Sequence, residues 1–110
     1  MMKKGEIISV EFPVTGGHEQ TGMRPAIILS EVEANIAIII PFTSNLNALR
    51  YPHTIEVSPS KSNGLKTDSV ALVFQLRAID DRRIKDKIGT LENEKINKID
   101  KMIKEMLFLQ

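Results

Sequence analysis

Two isoleucine-rich runs constrain this chain more than anything else in it. "PAIILS" (25–30) and "NIAIIIPF" (35–42) are almost continuously apolar, and only "EVEA" (31–34) separates them. β-branched residues at this density favour extended backbone. An apolar run without polar alternation is what a strand covered on both faces looks like. The short polar joint makes the two runs an antiparallel hairpin at the centre of a sheet. Pro25 suits the first residue of a strand, where a missing N–H does least harm.

The flanking segments fit that centre. "EIISVEF" (6–12) alternates, with Ile8, Val10 and Phe12 on one side, and reads as a half-buried strand. "PVTGGHEQTGM" (13–23) is broken by a proline and three glycines and reads as a long loop, a kind of segment that in small domains is usually functional or disordered. "HTIEVS" (53–58) alternates again with Ile55 and Val57 inward, and "SPSKSNGLKT" (58–67) is a loop by composition. "DSVALVFQLRAI" (68–79) reads as the longest strand, with Val70, Leu72, Phe74 and Leu76 on one face. "DDRR" (80–83) is a turn and "IKDKIGTL" (84–91) a weaker edge strand. The period then changes. In residues 92–110, Ile96, Ile99, Ile103, Met106 and Leu107 follow helical spacing, with lysines on the polar side. No clean N-cap precedes them; Thr90 is a candidate. Strands followed by one helix predict a mainly β, α+β fold: a small curled antiparallel sheet closed by a helix.

A chain of 110 residues with 42% hydrophobic content holds one modest core, so residues 1–110 are read as a single domain. There are no cysteines, which rules out disulfides and thiolate zinc sites. No apolar run reaches the ~18 residues of a membrane span. "MMKKGEIISV" lacks the apolar stretch of a signal peptide. The expected location is the cytoplasm. A net charge of +1 neither announces nor excludes a nucleic-acid partner, since a local basic surface is what matters.

Few residues offer chemistry. His18 and His53 have no ligand-spaced partner, and the side chains of adjacent Asp80 and Asp81 diverge, so no metal site is expected. Phosphate-loop and dinucleotide motifs are absent, and "TGGHEQTG" lacks their strand–turn–helix context. His18 reads as a solvated loop histidine. Arg24 has two readings: a strand-end arginine paired with a surface carboxylate, or a guanidinium clamping a phosphate in two-point geometry. Thr43 and Ser44 follow the second run, and the hairpin brings Thr43 to the same sheet end as Arg24. Two hydroxyls and a guanidinium there suit a phosphate; a hydroxyl-rich turn is the plainer reading.

At this point the residues resemble a known family. "GEIISVEF", "HEQTGMRPAIILS", "IIIPFTS", "PHTIEV", "GLKTDSVALVFQLRAID", "KDKIGTL" and the final helix together are similar to the MazF/PemK toxin endoribonucleases, in order and over nearly the whole chain. The resemblance implies a small Src-homology-3-like β-barrel with helices, assembled as a homodimer. It implies metal-independent cleavage of single-stranded RNA, silenced by a cognate antitoxin, with no cofactor. The family's catalytic arginine falls on Arg24 and its catalytic threonine on Thr43. Its RNA-positioning loop falls on Glu19, Gln20 and Gly22, with Gln75 as a weaker carry-over; Ser44, beside Thr43 at the same sheet end, is read as a further RNA contact. His18 and Thr21 depart from the usual serine and glycine.

RNA supplies its own nucleophile in the 2′-OH, a route closed to DNA. Arg24 suits stabilisation of charge on the phosphorane-like oxygens, and Thr43 suits donation to the same phosphate or orientation of the 2′-OH. Glu19 and His18 are both open as the base. Arg50, Lys61, Lys66 and Arg77 are candidate phosphate contacts. With 5% aromatics and no Trp, bases are expected to be read by hydrogen bonds rather than by stacking. Two alternatives stand: a protein-binding toxin like the gyrase poison CcdB, and a catalytically inactive barrel.

Overall fold

The computed structural model describes residues 2–12, 22–32 and 34–109. Its centre is the expected hairpin. β2 (Gly22–Val32) and β3 (Ile36–Thr43) run antiparallel in a register from Val32↔Ile36 to Ala26↔Pro41. The chain turns through Ala34 and Asn35, both in the left-handed region (φ 68 and 63). Asparagine accommodates that conformation; alanine does so at a cost.

Both faces of the hairpin are covered, because neighbouring isoleucines point into different cores. Ile27 and Ile40 enter one cluster with Ile7, Phe42, Ile55 and Val57. Ile28 and Ile39 enter the other with Ile8, Val10, Phe12 and Ile79. β1 (Glu6–Phe12) pairs with β2, and its Ile7 and Ile8 are both buried. The first half of β1 is thus covered on both sides, not half-buried as its alternation suggested.

The run expected to be the longest strand is broken. β5 (Ser69–Leu72) leads into a 3-10 turn over Val73–Gln75, and β6 (Arg77–Asp80) resumes beyond it. The two halves pair with different ends of β3: Phe42 and Thr43 face β5, and Ile36–Ile39 face β6. A sheet that curls this sharply cannot keep one straight strand along all of β3, so the chain turns a corner at Val73. Val70, Ala71, Leu72 and Val73 are all buried, which erases the alternation there.

β4 (Thr54–Val57) pairs with β5, and β7 (Ile84–Thr90) pairs with β1, giving the path β4-β5-β3-β2-β1-β7. Among the described residues β4 and β7 do not pair, so hydrogen bonds leave the barrel open. Side chains complete it: Ile55 and Val57 share a core with Leu91 and with Ile99 of α1 (Asn93–Met106). Ile96, Met102, Ile103 and Met106 pack on that same core. Leu107 lies past the helix and is exposed, so the apolar stripe ends one residue before the sequence suggested. Glu92, not Thr90, occupies the N-cap position, and its side chain makes no capping bond. The architecture is the expected α+β one: mainly antiparallel sheet with a C-terminal helix. No helix among the described residues is long and apolar enough to cross a membrane.

Candidate active site

The site begins where the central hairpin stops. Continued past Ala26↔Pro41, the β2–β3 register would set Pro25 opposite Phe42 and Arg24 opposite Thr43. The ladder does not continue. Pro25 and Pro41 have no N–H to give, and beyond them β3 takes β5 as partner through Phe42↔Ala71 and Thr43↔Val70. β2 meanwhile follows β1, with Arg24 opposite Val10. The parting strands leave a cleft of about 410 Å³, with Arg24, Pro25, Phe42, Thr43 and Ser44 among its lining residues. Arg24 is therefore the third residue of β2, and Pro25 is its fourth rather than its first.

Thr43 is held closely. It is 8% exposed, and its Oγ1 accepts a hydrogen bond from the Asn45 N–H at 3.2 Å. An accepting hydroxyl can still donate its own hydrogen, so Thr43 can offer a proton to an anion in the cleft. Ser44 is exposed at the same rim. The facing wall comes from the loop 58–67 and from β7: Gly64, Leu65, Lys66 and Thr67 on one, Asp86 and Ile88 on the other. Two cations, Arg24 and Lys66, and the carboxylate of Asp86 border one opening. A guanidinium, a hydroxyl and a second cation at one opening are the residue types whose chemistry suits an anionic oxygen ligand. Among the described residues no group of three or more His, Asp or Glu is placed to hold a metal ion.

Thr43 is also a wall of a second cleft, of about 570 Å³, shared with Asn45, Asn47, Arg50, Tyr51, Phe74 and Gln75. Gln75 is thus separated from Arg24 and Ser44, and Thr43 is the link between them. The Tyr51 and Phe74 rings lie 5.7 Å apart at 53°, and the Arg50 guanidinium sits 5.0 Å above the Tyr51 ring. Arg50 Nη2 also donates to the Tyr51 hydroxyl at 3.0 Å. This aromatic group escaped the sequence reading, which counted aromatics but could not see two of five meet.

The other expected residues divide. Glu19, Gln20, His18 and Thr21 lie outside the described residues. Gly22 opens β2 at φ +80, a conformation that glycine adopts without strain. Lys66 borders the first cleft and Arg50 the second. Arg77 instead lies 4.3 Å above the Phe12 ring, against the core, and Lys61 is exposed on the loop.

Comparison with known proteins points one way. The profile of the PemK-like, MazF-like toxin of type II toxin-antitoxin systems matches residues 3–107. Endoribonuclease EndoA of Bacillus subtilis is 30% identical over 113 residues, covering 99% of this chain and 97% of its own. Endoribonuclease MazF of Staphylococcus saprophyticus is 30% identical over 107 residues, covering 94% and 88%. Among solved structures, MazF from Deinococcus radiodurans superposes with a TM-score of 0.81 at 24% identity, covering 98% of this chain and 97% of that one. A mycobacterial endoribonuclease solved with its cognate antitoxin gives 0.68 at 15% identity, covering 97% and 93%. At those identities the structural likeness concerns the fold.

Proposed function

The chain belongs to the PemK-like, MazF-like toxin family of type II toxin–antitoxin systems, and from that premise we propose that it is an endoribonuclease cutting single-stranded RNA without a metal ion. One observation carries the reading: Arg24 and Thr43 line a single cleft at the point where the central ladder is interrupted.

The ribose 2′-oxygen attacks the adjacent phosphorus, and its proton passes to a base. The bond from phosphorus to the 5′-oxygen breaks, and that oxygen takes up a proton. The products are a 2′,3′-cyclic phosphate and a 5′-hydroxyl. Arg24 meets the charge growing on the non-bridging oxygens, which fixed donors stabilise more in the transition state than in the ground state. Thr43 donates to the same phosphate while Asn45 N–H holds its oxygen in place. Gln75 contacts RNA on the far side of Thr43, Ser44 at the rim, and Glu19, Gln20 and Gly22 supply further RNA contacts. Residues 1–110 act as one domain, on transcripts in the cytoplasm.

Two protein partners complete the proposal. A cognate antitoxin occupies the cleft when the toxin is silent; a mycobacterial relative of this fold has been solved with its antitoxin. A second copy covers the apolar face around Leu46, Leu49, Tyr51, Phe74, Phe108 and Leu109, all exposed in one chain. Tyr51 touches Phe74, Phe74 N–H bonds the His53 carbonyl, and His53 lies 4.0 Å from Glu105 in the last turn of α1, so the aromatic group neighbours the end of that helix.

The test is cleavage of a single-stranded transcript in EDTA by the parent, Arg24→Ala and Thr43→Ala. The parent is expected to cut, leaving 5′-hydroxyl ends. Arg24→Ala is expected to lose at least roughly a hundredfold in rate, the scale of removing one transition-state donor. Cleavage abolished by EDTA would exclude the metal-free route. A parent that leaves RNA intact would favour a protein-binding toxin.

A further inference from the structure

Asn63 is polar, 0% exposed and outside the pair that faces the substrate. Its side chain is fully used. Oδ1 accepts from the N–H groups of Ser60 and Leu65, each at 3.0 Å. Nδ2 donates to the Ser58 carbonyl at 2.8 Å and to the Glu92 carboxylate at 3.3 and 3.4 Å. Glu92 stands at the start of α1, yet turns its carboxylate to this loop and accepts from Ser60 Oγ at 2.6 Å and Ser62 Oγ at 3.3 Å. Backbone bonds complete the strap: Gly64 N–H to the Ser60 carbonyl at 3.1 Å and Thr90 N–H to the Ser62 carbonyl at 2.7 Å. Gly89 permits the approach, since a Cβ there would lie 2.5 Å from the backbone of Asn63 and Ser62.

Immediately past the strap the chain becomes the wall of the catalytic cleft, with Lys66 and Thr67 bordering it. Leu65, between the strap and Lys66, is 8% exposed and anchored in the core. None of the ion pairs among the described residues uses Lys66. A loop that only had to join β4 to β5 needs no buried amide with four partners. We infer that Asn63 and Glu92 are positioning residues, and that their strap holds Lys66 and Thr67 as a second phosphate-binding wall for the nucleotide next to the scissile one. This rests on the proposed ribonuclease reading and names a subsite within it.

The experiment compares the parent with Lys66→Ala, Glu92→Ala, Glu92→Gln and the Lys66→Ala/Glu92→Ala double variant, measuring kcat and KM on a single-stranded transcript. Lys66→Ala is expected to raise KM about tenfold while kcat changes less than about twofold, as for loss of a charged contact made equally before and during reaction. Glu92→Ala is expected to do the same and Glu92→Gln, which keeps an acceptor for Ser60, to recover most of the loss. The double variant is expected to be no worse than Lys66→Ala alone, because Glu92 acts through that wall. Multiplying effects, or a parental KM in Glu92→Ala, would overturn the positioning role. Should Glu92→Ala fail to fold, Ser60→Ala takes its place in the same comparison; it removes the hydroxyl's bonds to Glu92 and Ser62 and its acceptance from the Asn63 N–H, and leaves Asn63 Nδ2 on Glu92.

A single-stranded DNA copy of the transcript gives an independent reading of Lys66. The slope of log affinity against log salt should fall in magnitude by about 0.7 on losing one phosphate contact. An unchanged slope would overturn the wall. If the parent cuts RNA and Arg24→Ala does not, yet Lys66→Ala keeps the parental KM, only this inference fails. A parent with no cleavage removes both.

Discussion

Gly64 shows how much one position can carry. It lies at φ +68, and a Cβ there would run into the carbonyl oxygen of Ile88. A side chain would add left-handed strain and push the loop off β7. Gly64→Ala is expected to lose about 2 kcal/mol or more, read as a lower urea midpoint at unchanged slope. Other residues differ in how openly the sequence declares them. The shared sheet end of Arg24 and Thr43 was legible, because two runs joined by a short turn must return to their start; the roles proposed for them came from the family resemblance. Asn63 was not. In "SPSKSNGLKT" it is one polar residue among many, and it gains meaning only from Glu92, a partner 29 residues away. Gln75 was legible as polar, but not as lying on the far side of Thr43, because the 3-10 turn that places it is a product of sheet curvature.

Among elements, the strap between loop 58–67 and α1 has a pH signature. The hydrogen bond from Ser60 first, then those from its own backbone N–H, Asn63 and Ser62, outweigh burial and hold the Glu92 carboxyl below its ordinary value of 4.5. A carboxyl lowered in the folded state contributes stability above its unfolded value and loses it as pH falls through the folded one. The parent should therefore lose melting temperature as pH drops below about 4.5, and Glu92→Gln should lose less over that range. A parallel decline in both proteins would place the acid sensitivity elsewhere. Asp80 adds a loss that begins lower. Hydrogen bonds from the Arg82 guanidinium and N–H bring its carboxyl from 3.8 to about 2, so its share is lost as pH falls from 3.8 toward about 2. The elements that periodicity revealed best were those with one environment along their length, such as β4 and α1. "DSVALVFQLRAI" misled because its two halves serve different ends of β3, a requirement of the curl that no local pattern records.

At the scale of the whole molecule, the exposed apolar face and the open sheet ends predict behaviour in solution. Sedimentation at micromolar concentration should show a dimer, and Phe108→Ser, altering a side chain 93% exposed in the single chain, should shift it toward monomer. A monomeric parent would remove the second copy from the proposal. The order of strands and the closing helix were legible because composition and period change along the chain; the missing β4–β7 pairing was not, since it depends on distances that only the folded sheet sets. The two imino acids at the ladder's end have a wider consequence. An aperture made by residues that cannot be zipped together exists as soon as folding finishes, without a trigger to uncover it. Restraint on such a protein is then a matter of occupancy, decided by whatever guest fills the gap first.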